Sequence, residues 1–275
     1  MPRIKRSNWQ VDYYWSPGSG LRLGLCSYLG QAVVHAASVP FVYVNYIGNI
    51  SGPFTDKLKS LSKAIEIRDI MFGFDLKVTY NYYGPDYEYN DVWRFHEDGQ
   101  FGSAIVIQGP GDEIHGRHTY HLPFRFDIDV SSSGRDSFQK LSGGQWSDVA
   151  KEGRHKSTIA PEFEWRVLDK TKQRSVDVRG RNGDDAEIWA LEYQKSEGWA
   201  SWGSAGSGAP GTPTSVPALY PKDRSVQNTN VVLWYIAHHT AVDRVAACGP
   251  WFKLAGYPKP PKPMPKGHGQ MQGNM

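Results

Sequence analysis

The sequence predicts a mostly β protein, a β-sandwich carrying one short helix, and three observations lead there. Short apolar or alternating runs recur between Gly, Pro and Ser clusters along most of the chain, as strands joined by turns do. Ten Trp, fifteen Tyr and eleven Phe are present, and aromatic side chains suit the half-buried pleated surface of a sheet. At 275 residues the chain is long enough for one large domain, and all-β domains often reach that size.

Residues 1–8 read as a basic arm in which Arg3, Lys5 and Arg6 are solvated. Residues 9–257 read as a single domain. Strands are expected at 21–25, 32–37, 41–46, 76–82, 92–95, 104–108, 123–130, 163–168, 187–193 and 231–237. One helix is expected near residues 54–65, where Leu58, Leu61, Ala64 and Ile65 follow at helical spacing. Thr55 would cap it, leaving Asp56 as a first-turn acid favourable to the helix dipole. Glu97-Asp98-Gly99 supplies a tight turn between two strands. Residues 203–217, rich in Gly, Ser, Ala, Pro and Thr, read as a long loop, either a lid or a tolerated insertion. Residues 258–275 read as a Pro/Gly/Lys-rich flexible tail, with His268 an inert member of it.

Charge narrows the function. Charged residues make up 21% and the net charge is +3, which is no nucleic-acid signature. Cys26 and Cys248 are the only cysteines and read as two buried thiols. The basic start has no apolar run after it, and no segment approaches the length of a membrane span, so the cytoplasm is the expected compartment.

The chemistry concentrates in three stretches. Asp86-Tyr87-Glu88-Tyr89 is the first, His118-Thr119-Tyr120-His121 the second, and the run Val231 to Tyr235 leading to His238-His239 the third. Only nine histidines exist, so four of them in two apolar, strand-like stretches is not a solvated distribution. Imidazole nitrogens suit copper, zinc, iron and nickel, and separate strands can each contribute a ligand. Strand side chains alternate, so His118 and Tyr120 share a face, and His121 joins His118 only through a bulge. Pro123 is a source of such irregularity, and His115 is a further candidate. The plainer reading is a set of aromatic-cluster histidines satisfied by backbone carbonyls.

In order along the chain, these blocks resemble the catalytic domain of the copper-containing amine oxidases, as a shortened and divergent member. Gly20-Leu21-Arg22-Leu23-Gly24 through Val34-His35-Ala36-Ala37-Ser38-Val39 resembles its opening strand pair. Asp86 to Tyr89, then Trp93-Arg94-Phe95-His96-Glu97-Asp98-Gly99, resembles its quinone motif and the Trp-x-Phe-x-x-Asp-Gly downstream. His118 to Asp129 resembles the His-x-His ligand strand with its trailing Arg-x-Asp-x-Asp. Val232 to His239 resembles the third-ligand strand, and Val242-Asp243-Arg244 the closing segment.

The resemblance implies a β-sandwich of that catalytic-domain type. It also implies a copper-dependent oxidase that deaminates primary amines oxidatively, with O2 as electron acceptor and a homodimer as the assembly. Copper would be one cofactor and topaquinone, derived from Tyr87, the other. Asp86 stands where the family has Asn, and plain packing in a Tyr-rich strand is the other reading of Tyr87. Counting back from Arg125 without a gap puts two metal ligands on His118 and Tyr120; a one-residue slip puts them on His118 and His121. His239 is favoured over His238 as the third, so the expected set is His118, His121 and His239. Tyr46 would hold the quinone oxygen, and Asp56 is the acid in reach to serve as base. Two other functions stay open. One is a metal-dependent tailoring enzyme on a small aromatic substrate, working without the quinone. The other is a non-enzymatic binding module.

Overall fold

The computed structural model describes residues 1–16, 20–47, 54–57, 63–81, 87–109, 117–130, 135–158, 162–181, 184–194, 222–241 and 244–260. All regular structure among them is strand. In chain order come β1 (Arg3–Arg6), β2 (Trp9–Ser16), β3 (Gly20–Tyr28), β4 (Gln31–Ser38), β5 (Phe41–Tyr46), β6 (Phe54–Lys57) and β7 (Glu66–Ile70). Next are β8 (Gly73–Asn81), β9 (Glu88–His96), β10 (Phe101–Gln108), β11 (His118–Ile128), β12 (Asp136–Ser142), β13 (Gln145–Asp148) and β14 (Gly153–Lys156). The last are β15 (Trp165–Asp169), β16 (Arg174–Gly180), β17 (Asp185–Glu192), β18 (Gln227–Thr229), β19 (Val231–Ala241), β20 (Arg244–Cys248) and β21 (Pro250–Ala255).

They form two antiparallel sheets. The first runs β1-β2-β3-β4-β11-β19-β17-β14, with β5 on β11 and β6 on β5. The second runs β13-β12-β15-β16-β21-β10-β9-β8-β7, with β18 on β12 and β20 on β10. The long strand β11 organises the first. Its C-terminal half pairs with β4, its N-terminal half with β5, and its whole opposite edge with β19.

The inner faces meet in one apolar core. Phe126 of β11 lies 5.7 Å, ring centre to ring centre, from Trp93 of β9 and 4.5 Å from Phe252 of β21. Trp9 packs against Phe95 and Phe101, and its indole N–H donates to the His96 carbonyl at 2.7 Å. The Leu21 amide donates to the Tyr80 hydroxyl at 2.8 Å, which ties the sheets together inside the core. A second buried cluster, Trp189, Leu191, Val232, Trp234 and Ile236, occupies the other face of the first sheet. The expected turn holds. Gly99 has a φ of 90°, a left-handed conformation that suits glycine, and its amide donates to the His96 carbonyl at 3.1 Å.

Two expectations change. The described part of the stretch expected as a helix near 54–65 is not helical: residues 54–57 are β6, paired antiparallel with β5, and residues 63–65 are neither helix nor strand. Leu58 and Leu61 lie outside the described residues. β5 has β11 on one side only, and its other row of backbone groups takes a partner strand, which outweighs weak local helical spacing. The basic arm joins the sheet as β1. Ile4 enters the core, and Arg3 grips Asp12 through two hydrogen bonds of 2.5 and 2.9 Å. The loop at 203–217 and the tail beyond residue 260, with His268, lie outside the described residues.

Replacing Phe126 with Ala is expected to lower unfolding free energy by about 3–5 kcal/mol, as loss of a fully buried aromatic ring does. Urea or guanidinium unfolding, read as a shift in midpoint at constant slope, checks this.

Candidate phenol–imidazole site

Pairing between β11 and β19 is unbroken from His118↔Ala241 to Asp127↔Val232. Side chains directly opposite each other in an antiparallel pair share a face. His118, Tyr120 and His239 therefore point into the sandwich, while His121 and His238 point to the other side of the sheet. The shift in β11's register falls between Asp127 and Ile128, on the β4 edge, so no bulge returns His121 to the inner face. The expected ligand set His118, His121 and His239 is split between two faces, because Pro123 is accommodated without a break in alternation.

On the inner face a chain of phenols runs from β11 toward the second sheet. His118 Nε2 and the Tyr120 hydroxyl are 2.6 Å apart, and both residues are fully buried. The Tyr120 hydroxyl also hydrogen-bonds the hydroxyl of Tyr87, a half-buried residue just before β9. The Tyr87 ring stands edge-on to Tyr89, centroids 5.5 Å apart. Tyr89 donates to Asp56 Oδ2 at 2.5 Å. Burial first, and the Asp56 carboxylate next, push the Tyr89 phenol well above its usual range. Tyr46 closes the group, its ring 4.8 Å from that of His118.

Thus Tyr87, Tyr46 and Asp56 are all gathered around His118 and Tyr120. Asp56 arrives by a different route from the one expected. It is a buried strand residue opposite Val42 on β6, not a helix-start acid, and its contact is Tyr89. His239, the inner-face histidine of β19, has Nδ1 3.8 Å from the Cys248 thiol. Burial, with Asp184 nearby, pushes that thiol well up, so it stays protonated. Cys26 is buried and free, as expected of both cysteines. Asp86 and His115 lie outside the described residues.

A three-imidazole copper site does not fit this arrangement. Among the described residues no three His, Cys, Asp or Glu side chains are placed to hold a metal ion. At the middle ligand position of the ungapped register stands Tyr120, whose oxygen is taken up between His118 and Tyr87.

Several contacts escaped sequence reasoning. Tyr89 gave no sign of a carboxylate partner, because that partner sits on a strand expected to be helix. The Cys248–His239 contact joins two sheets and has no local signal. Strand alternation did put Tyr120 on the face of His118, but its contact with Tyr87, beside the other sheet's β9, had no local signal.

No protein-family model matches the sequence, and no curated protein matches it. The fold, however, is shared with solved amine oxidases. A copper-containing benzylamine oxidase from Hansenula polymorpha superposes with a TM-score of 0.65 at 14% identity, covering 92% of this chain and 59% of its own. An amine oxidase from Aspergillus nidulans gives 0.62 at 12% identity, covering 93% of this chain and 51% of its own. A lysyl oxidase from Pichia pastoris gives 0.61 at 11% identity, covering 93% and 52%. The chain carries this fold in divergent form and spans between 51% and 59% of those structures' lengths.

Asp91, two residues beyond Tyr89 on the same inner face, generates a pH prediction. Burial pushes its carboxyl up to about 7, against a smaller opposing effect of Trp93. A carboxyl raised in the fold stabilises most below its unfolded pKa of about 3.9 and loses that contribution as pH climbs to the folded value. Unfolding titrations between pH 4 and 7 are expected to show wild-type stability falling relative to Asp91→Asn, by a few kcal/mol at most.

Proposed function

We propose that this chain is an enzyme acting on a small organic substrate, and that its His118–Tyr120–Tyr87 array transfers protons instead of serving a three-histidine copper ion. The observation that supports this most is the place of Tyr120. It brings a phenol to the inner-face position beside His118, where the resemblance had offered a second imidazole as one of two registers.

The array suits general acid–base work. Imidazole is the side chain closest to neutrality in its proton affinity, and a hydrogen-bonded phenol can relay its proton. Tyr87, the half-buried end, is the member that reaches substrate. Its hydroxyl takes or gives a proton while Tyr120 shifts one to or from His118. The Tyr89–Asp56 bond holds a second phenol edge-on to Tyr87 and fixes its ring. Tyr46, packed on His118, with Tyr87 and Tyr89, makes aromatic walls that favour a flat, partly apolar substrate.

A second reading keeps the copper–quinone chemistry: oxidation of a primary amine to an aldehyde, with O2 reduced to hydrogen peroxide and Tyr87 the topaquinone precursor. The shared fold, and the contact of Tyr87 with the His118–Tyr120 pair, favour it. Copper and O2 would be required, and His118 and His239 are the inner-face imidazoles that β11 and β19 offer.

One measurement separates the two. The apoprotein is loaded with copper in air and the peptide containing Tyr87 is weighed. Unchanged mass is the expected result. A gain of two oxygens with loss of two hydrogens at Tyr87 would overturn the proton-transfer reading in favour of the oxidase. On a turned-over substrate, Tyr120→Phe is expected to lower kcat by about 10²–10⁴-fold, with KM little changed.

A further inference from the structure

On the opposite face of the first sheet, register aligns four chemistry-bearing side chains on adjacent strands. Tyr43 of β5 faces His121 of β11, which faces His238 of β19, which faces Asp185 of β17. The two imidazoles converge. His121 Nδ1 and His238 Nδ1 are 2.6 Å apart, with ring centres 4.8 Å apart and nearly perpendicular at 74°. On its far side His121 Nε2 lies 3.3 Å from the Asn45 amide. Burial before all else lowers the proton affinity of both, and that of His121 falls to about 4. Asp185 and Glu187 lend His238 negative charge, opposed by Lys156 and Arg154.

We propose that His121 and His238 form a two-imidazole binding site for a late first-row divalent ion, zinc, nickel or copper(II), separate from the inner-face array. Two neutral imidazoles can both ligate through Nδ1. The one proton now held between the rings moves to an Nε2, so no proton is released overall. Asn45, turned about its amide, then presents oxygen to His121 Nε2–H and supports the ligand from behind. Metal–nitrogen bonds of about 2.0–2.1 Å need the two nitrogens roughly 2.9–3.4 Å apart, so the rings open by less than about 1 Å. Among the described residues no third His, Cys, Asp or Glu is placed with the pair. The Asp185 carboxylate sits 3.6 Å from Lys156 Nζ instead, and water completes the ion's shell. His238 is half-buried, which leaves a way in from solvent.

Calorimetric titration of the metal-free protein with zinc tests this. One ion per chain is expected. His121→Gln and His238→Gln should each weaken it by at least the roughly 10- to 100-fold that losing a supporting partner costs a metal site. His96→Gln and His268→Gln should leave it unchanged. Absence of binding, survival of the site in both outer-face variants, or its loss in either control would overturn the proposal. A second measurement needs no variant. In wild-type protein, zinc should shield His121 and His238 from carbethoxylation, read by peptide mass, and shielding of neither would equally overturn it.

Discussion

Because side chains of a strand alternate, the register between β11 and β19 determines what each of the four histidines on these two strands can reach. A slip of one residue would exchange the two faces wholesale. The register is held from both sides. Leu122, Phe124 and Phe126 sink into the sandwich beside Leu233, Tyr235 and Ala237, while Val232, Trp234 and Ile236 sink into the cluster on the other face. Moving either row would carry the fully buried Trp234 or Tyr235 into a space shaped for the other. From that one constraint follow the inner phenol–imidazole array, the outer histidine pair and the division of four histidines two and two.

The array itself depends on bringing a carboxylate and three phenols between the sheets, where Asp56, Tyr89 and Tyr120 are buried and Tyr87 is half-buried. A buried hydroxyl left without a partner costs about 1–3 kcal/mol, so each must end on another. Tyr89 ends on Asp56, and Tyr87 ends on Tyr120, which ends on His118. Strand β6 supplies the acid and β9, in the opposite sheet, supplies Tyr89. The same burial that strengthens these bonds raises the Tyr89 phenol and keeps the Cys248 thiol protonated.

Much of this was legible beforehand, for local reasons. Alternation and aromatic content point to sheets, and the Glu97-Asp98-Gly99 turn declares its own hairpin. The grouping of Tyr87 and Tyr46 with His118 followed the order of short motifs, whereas Asp56 was named only as the acid in reach. The departures share a cause as well. At residues 54–57 the expected helix start lost to the open edge of β5, which lies close in sequence but exerts its pull only once β11 has docked beside it. The preference for His121 assumed that Pro123 would disturb the strand. Yet a proline lacks only its N–H, and β11 continues through it in step with β19, at the point where its other edge passes from β5 to β4.

By itself, then, the sequence determined the strand-rich architecture, the places of its histidines and tyrosines, and the parity by which His118 and Tyr120 must share a face. Those follow from bonding within a few residues and from the period of an extended chain. Only the tertiary structure decided which partner each of them meets: Asp56 for Tyr89, Tyr87 for Tyr120, Cys248 for His239, His238 for His121. These contacts join residues from about thirty to more than a hundred positions apart, or cross between sheets. They form only after burial has set the register of whole strands, an energy shared by dozens of apolar side chains and written in no single motif.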